Sequence, residues 1–185
     1  MADADVRPAT SDDAAEIARI QLGTWRTAYT GILPAAVLAE LSEDGAAAQW
    51  RQTIEHGPAT VLVATEGGWT VGFAAAGPAP EDESAGAAGT PPPDAAGVAL
   101  VSALLVEPRW GRRGHGGRLL AAAGERLRKA GATRGIAWVP VADDASLSFY
   151  RRAGWAPDGT VRTLDAGGQP LRELRLTGGL DLDLV

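Results

Sequence analysis

The chain has no cysteine among its 185 residues, which excludes disulfides, thiolate metal sites and a cysteine nucleophile. Its two histidines, His56 and His115, share no spacing with Asp or Glu of the kind that closes a metal site, so no metal is expected. His56 stands directly before Gly57, where an imidazole favours a helix C-terminus. No window of about 18 residues is apolar and free of charge, so no segment reads as a spanning helix. The start, MADADVRPATSDD, is acidic and has no apolar core; it does not read as a signal peptide, and a cytoplasmic location is the expectation. Positive charge is short as well: 17 Lys and Arg face 23 Asp and Glu, and the net charge of −6 argues against nucleic acid as a partner. The same balance fits a cationic substrate. The length suits one domain able to bury its own core.

What is present centres on residues 97–120. Gly97 to Leu105, GVALVSALL, is an apolar run with β-branched Val98 and Val101, as a buried strand requires. Pro108 stops it. After Gly117 the pattern changes to Leu119, Ala123 and Leu127, joined by Leu120, which is one face of a helix ending near Gly131. Between them lies a turn rich in glycine and arginine. The first turn of a helix carries unpaired N–H groups and partial positive charge, and glycines let an anion approach them closely. Arg112, Arg113 and Arg118 add cations, so the expected ligand group is a phosphate or pyrophosphate. Leu119 stands where the dinucleotide fingerprint started at Gly114 needs glycine, and no Lys-Ser or Lys-Thr follows these glycines as a P-loop needs.

The rest of the chain falls into order around that unit. Met1 to Asp5 is expected to be a loose end before a short strand at Val6–Pro8. Thr10, with Asp13 three residues on, resembles a capping box for a helix with Ala14, Ile17, Ile20 and Trp25 on its apolar face. Gly31 breaks the chain, Pro34 opens a second helix, and a third spans about Gly45 to His56. Thr60–Thr65 and Trp69–Ala75 read as a hairpin turning at Glu66-Gly67-Gly68. Gly77 to Ala96 has almost no large apolar residue and is expected to be a flexible insertion loop. A strand over Thr133–Val139 follows, then a helix opened by Asp143 or Asp144, ended by Gly154, and a hairpin of Val161–Leu164 with Leu171–Thr177. The tail, GGLDLDLV, alternates apolar and acidic residues and is read as a strand extension or a surface for a second chain. The expected architecture is a single α/β domain over residues 1–185, with a mixed central sheet of about six to seven strands flanked by helices on both faces.

Gly111-Arg112-Arg113-Gly114-His115-Gly116 resembles motif A of the Gcn5-related N-acetyltransferases, (Q/R)-x-x-G-x-(G/A), although Gly111 holds the Gln/Arg position. Asp143 to Trp155, DDASLSFYRRAGW, resembles motif B, with Asp143 in place of the usual Asn. Trp25 to Pro34, W-x-x-x-Y-x-G-x-x-P, is similar to a common N-terminal version of the same family. The resemblance covers nearly the whole chain, and the two motifs at this separation are more specific than either alone.

The resemblance implies acetyl-CoA as cofactor and a primary amine of a small molecule or peptide as acceptor. Attack of an amine on a thioester needs a deprotonated amine, stabilisation of the oxyanion and a proton for the departing thiolate. Without cysteine there is no acyl-cysteine relay, so direct transfer is expected. By the resemblance, Gly111, Arg112, Arg113, Gly114, His115, Gly116, Gly117 and Arg118 hold the pyrophosphate. Leu104, Leu105 and Val106, on a strand that splays from its neighbour, bond the pantetheine arm. Asp143 and Ser146 contribute from motif B. Tyr150 protonates the thiolate, and Trp25 and Tyr29, one turn apart, line the acceptor cleft. The glutamate that members often carry at about Leu100 or Ser102 is absent; Glu107 reads as a partner for an arginine. The resemblance also implies a homodimer. Two alternatives stay open: a non-catalytic acyl-CoA-binding module, and a longer acyl group accommodated by Ala99 and Ala103.

Overall fold

Seven strands form one sheet in the order β1-β2-β3-β4-β5-β7-β6 in the computed structural model, which describes residues 3–183. They are β1 (Ala4–Pro8), β2 (Thr60–Glu66), β3 (Trp69–Pro78), β4 (Val98–Val106), β5 (Arg134–Pro140), β6 (Ala156–Ala166) and β7 (Gln169–Gly178). Among the described residues only the β4–β5 pairing is parallel. The helices are α1 (Ala14–Ala28), α2 (Ala35–Glu40), α3 (Glu43–His56), a single turn α4 (Glu81–Ser84), α5 (His115–Lys129) and α6 (Asp144–Arg152). No helix among the described residues is long and apolar enough to cross a membrane.

Strand alternation builds a core on each face. Val61, Val63, Phe73 and Ala75 face α1 and α3 and pack with Ile17, Ile20 and Trp50. Leu62, Ala64, Ala74 and Ala76 face the other way and pack with Leu119, Leu120 and Ala123 of α5. On β4 the alternation breaks. Ala99 and Val101 belong to the α5 side, whereas Ala103 and Leu105 belong to the α1 side. The register to β3 skips Ser102, with Ala76 opposite Val101 and Ala75 opposite Ala103. Ser102 is therefore the extra residue of a β-bulge, and its hydroxyl donates to Ala75 O at 3.2 Å. The bulge re-aims the second half of β4, the half that borders the site.

The local signals work as chemistry dictates. Gly67 and Gly68, both at positive φ (58° and 84°), make the β2–β3 turn. Asp13 accepts from the Thr10 N–H at 2.8 Å and takes both Nη groups of Arg7 at 2.8 Å, tying β1 to the start of α1. Ser42 caps α3 one turn earlier than Gly45, the expected start.

Three expectations are corrected. The N-terminal strand begins at Ala4, so Ala4 and Asp5 of the expected loose end belong to it, and residues 1 and 2 lie outside the described chain. The segment Gly77–Ala96 is not a free loop: Gly77 and Pro78 continue β3, Ser84 and Ala85 are buried, and Arg175 donates to the carbonyls of Glu83 (2.9 Å) and Ala85 (2.6 Å). A buried guanidinium with five donors supplies the ordering that apolar side chains do not. Over its described residues the tail does not extend β7 outward: Leu180 is buried in the α5-side core and Asp181 pairs with Arg128 at 2.8 Å, while residues 184 and 185 lie outside the described chain.

Candidate active site

β4 and β5 stay paired only over Val98–Leu100 and Arg134–Ile136. Beyond that point they part, as expected, and the β5-facing main chain of residues 101–106 loses its ladder partner. N–H and C=O groups left without a ladder in this way take their partners from solvent or from a ligand. A cleft of about 620 Å³ opens there, bordered by Leu104, Leu105 and Val106 on one side and by the turn after β4 on the other.

The turn begins with Pro108–Trp110 as one turn of 3-10 helix. Arg112 follows with φ 63°, a left-handed conformation that costs a residue with a Cβ about 1–2 kcal/mol. Gly114 (φ 83°) is the N-cap of α5. The first helical bond runs from Arg118 N–H to Gly114 O at 3.0 Å, so the N–H groups of His115, Gly116 and Gly117 precede the ladder. Gly111, Arg112, Gly114, Gly116 and Gly117 all border the cleft, and this positive helix end suits an anion.

Two side chains expected to face that anion do not. Arg113 turns to Glu66 (Nη1–Oε1 2.9 Å) and lies over the Trp110 ring, 5.0 Å from its centroid. The His115 imidazole, 1% exposed, sits 2.6 Å from Glu66 Oε2. One carboxylate at the end of β2 thus holds both the Arg113 guanidinium and the His115 imidazole. Arg118 folds back onto the Arg113 carbonyl at 3.1 Å and is not part of the cleft wall. Of the three arginines, Arg112 alone borders the cleft.

At the far wall, α6 is capped by Asp143, whose Oδ1 accepts the Ser146 N–H at 3.0 Å and whose Oδ2 accepts the Ser146 hydroxyl at 2.7 Å. Tyr29, at the end of α1, also donates to Asp143 Oδ2, at 3.0 Å. Asp143 in place of Asn therefore acts as a pure acceptor for three donors. Tyr150, buried, packs its ring 5.2 Å from both Phe149 and Trp155. Burial and then the Asp143 charge push the Tyr150 hydroxyl well above its usual range. Burial, followed by the same charge, raises Tyr29 likewise. Both phenols stay protonated at neutral pH.

A second cavity of about 370 Å³ lies behind this wall, with Trp25 and Tyr29 on its α1 side. Trp25 stacks on Tyr29 at 6.3 Å with a 10° interplanar angle. Tyr29, Leu104, Leu105, Asp143, Ser146 and Tyr150 border both cavities. Glu107 borders neither; it is ion-paired to Arg19 and Arg109, both at 3.0 Å, as its sequence context implied. Burial pushes its carboxyl up, but the bonds from Arg19 and Arg109 outweigh that and hold it below its ordinary value, which makes it a weaker base than a free carboxylate.

Sequence reasoning missed Glu66, Trp138 and Glu173. Glu66 looked like part of a solvent turn, and no local signal tells it apart. Glu173 is legible only as an acidic residue inside the alternating run LRELRL, where one face of the strand must be covered.

Comparison with known proteins agrees with this geometry. Residues 22–155 match the model of the acetyltransferase (GNAT) family. An uncharacterized N-acetyltransferase of Bacillus subtilis (strain 168), YuaI, is 30% identical over 173 residues, covering 92% of this chain and 90% of the relative. Among solved structures, the PaiA N-acetyltransferase of Thermoplasma acidophilum, in complex with coenzyme A, superposes with a TM-score of 0.71 at 15% identity, over 96% of this chain and 99% of that one. YncA of Salmonella typhimurium, solved with its cofactor acetyl-CoA, gives 0.70 at 18% identity, over 99% and 97%. At these identities the two structures share the fold.

Proposed function

We propose that this chain, which belongs to the acetyltransferase (GNAT) family, takes acetyl-CoA as its donor and a primary amine as its acceptor. The observation that carries this reading is the position of Tyr150 in the wall common to two cavities, one ending at a helix N-terminus and the other lined by Trp25 and Tyr29. A donor in the first and an acceptor in the second would meet at that wall.

Each part of the donor finds chain groups suited to it. The N–H groups at the start of α5, with Arg112, hold the pyrophosphate. The unpaired main chain of Leu104–Val106 bonds the pantetheine arm as an additional strand would. Gly116 borders the donor cleft, and a Cβ there would come within 3.2 Å of the Phe149 ring, which would have to shift. The thioester supplies the acetyl group and departs as a thiolate. Tyr150, held neutral by burial, is the proton donor for that thiolate. Asp143 keeps α6 and α1 in register by capping the one and receiving Tyr29 from the other.

The test is calorimetric titration of acetyl-CoA into wild type and Gly114→Glu, with ATP as control, followed by thiol release over an amine panel. Saturable acetyl-CoA binding that Gly114→Glu abolishes, with turnover on at least one amine, is expected. Gly114 is at φ 83°, and a carboxylate there adds both strain and repulsion. Binding without turnover on any amine would favour the non-catalytic module. Unchanged affinity in the variant would remove the turn from the binding site.

A further inference from the structure

The second cavity carries chemical information about its occupant. Its walls combine the aromatic rings of Trp25, Tyr29 and Trp138 with aliphatic Leu33, Val37 and Leu171. Among the described residues its only charged lining groups are Asp143 and Glu173, and neither Lys nor Arg contributes to the wall. Two guanidiniums lie against the Trp138 ring without lining the cavity: Arg162, 4.2 Å from the ring centroid, which donates to Glu173 Oε2 at 2.6 Å, and Arg175 at 5.6 Å. Arg162 is further held by Glu83 at 2.7 Å, so it is committed where it is.

From this lining we infer that the cavity selects a small primary monoamine carried on an apolar or aromatic body. The inference rests on the amine-acceptor reading above and narrows it. Three steps lead to it. An ammonium group is attracted both to carboxylates and to aromatic faces, and this wall offers both. An acceptor that itself carries a carboxylate would be buried facing Asp143 and Glu173 without a counter-cation, which is costly. A polyamine would have to bury further ammonium groups against aliphatic walls, since Glu173 is already paired with Arg162 and Asp143, whose donors Tyr29 and Ser146 are neutral, is the one carboxylate of the wall left to meet an ammonium. The volume of about 370 Å³ suits a small molecule and is at the lower end for ligand pockets.

The test compares phenethylamine, phenylalanine, spermidine and an alanyl peptide on the intact protein. Phenylalanine is the same body with a carboxylate added. Two readouts are taken: thiol release with acetyl-CoA, and direct binding by calorimetry without it. Phenethylamine is expected to exceed each of the others by at least about 30-fold in kcat/KM and to bind most tightly. Leu33→Arg, at a half-buried position of the wall, should narrow the phenethylamine-to-phenylalanine ratio by about tenfold by supplying the missing cation. Preferred binding of phenethylamine without acetylation would uphold the inference and sink the acetyl-transfer reading. Equal or better use of phenylalanine, spermidine or the peptide would overturn the inference and leave acetyl transfer intact. Failure of phenethylamine to bind at millimolar concentration would also overturn it.

Discussion

Glu66 Oε2 lies 2.6 Å from His115 Nε2, which joins the last residue of β2 to the first residue of α5 across 49 positions of sequence. The same carboxylate receives Arg113, and the connection after β4 lies over β3, with Glu107 N–H on Val71 O at 2.9 Å. The glycine-rich turn is thus fastened to the edge side of the sheet. His115 Nδ1 is buried and has no partner among the described residues, so Glu66 alone orients the ring.

Removing that fastening should loosen the turn without touching the acetyl-transfer step. Glu66→Ala is expected to raise KM for acetyl-CoA by about tenfold while kcat changes by less than about twofold, because ground-state binding is what the turn supplies. Glu66→Gln, which keeps one acceptor, should fall between. Steady-state kinetics on the three proteins check this; a loss confined to kcat would place Glu66 in the chemistry instead.

Acid should weaken the fold in a defined window. The Arg7 bond, opposed by burial, holds Asp13 below its ordinary 3.8. For Glu66, burial pushes up but the bonds from His115 and Arg113 prevail, so its carboxyl sits below the ordinary 4.5. A depressed carboxyl contributes stability that is whole above its unfolded value and is lost as pH falls through the folded one. Melting temperature should therefore be nearly level from about pH 7 to pH 5 and drop progressively below about pH 4.5. Circular dichroism melts across that range provide the measurement, and Asp13→Asn should flatten the acid slope.

Much of this was legible beforehand because it is local. Paired glycines announced the β2–β3 and β6–β7 turns, the 3.6-residue period announced α5, and the two motifs announced the parting of β4 from β5. What escaped depends on partners far along the chain. The Ser102 bulge follows from facing β3, not from its own sequence. Arg113 and His115 were read as facing an anion because Glu66 is remote in sequence. The segment Gly77–Ala96 looked unable to order because its anchor, Arg175, lies some 90 positions away. The tail around Leu180 reads as a strand extension or a surface for a second chain because nothing near it reveals the groove beside Gly124 and Gly135.

The slot for Trp155 offers a stability test. Gly135 and Gly178 are cross-strand partners of β5 and β7, and the indole lies across both. A Cβ on Gly178 would fall 2.1 Å from Trp155 Cδ1, while the indole N–H is fixed to Gly179 O at 3.0 Å. Gly178→Ala should destabilise by about 3 kcal/mol, lowering Tm by roughly 6–12 °C. Adding Trp155→Phe to it should cost less than the sum of the two single changes, since the smaller ring vacates the contested space. Strict additivity would show that the two sites do not compete.

Tyr150→Phe addresses the chemistry directly. The substitution keeps the ring that packs on Phe149 and Trp155 and deletes only the hydroxyl. Tm and acetyl-CoA affinity should be close to wild type, and kcat should fall about 100-fold or more if the phenol donates the proton. The pH profile adds an independent readout. Because burial and Asp143 keep the hydroxyl protonated beyond its ordinary 10.0, wild-type activity should rise with amine deprotonation and show no downturn from Tyr150 near that pH. In the variant the same rise should persist at a lower level, since the amine and not Tyr150 sets it. Equal kcat in the two proteins would remove Tyr150 from the reaction and leave it as a packing residue between α6 and the sheet.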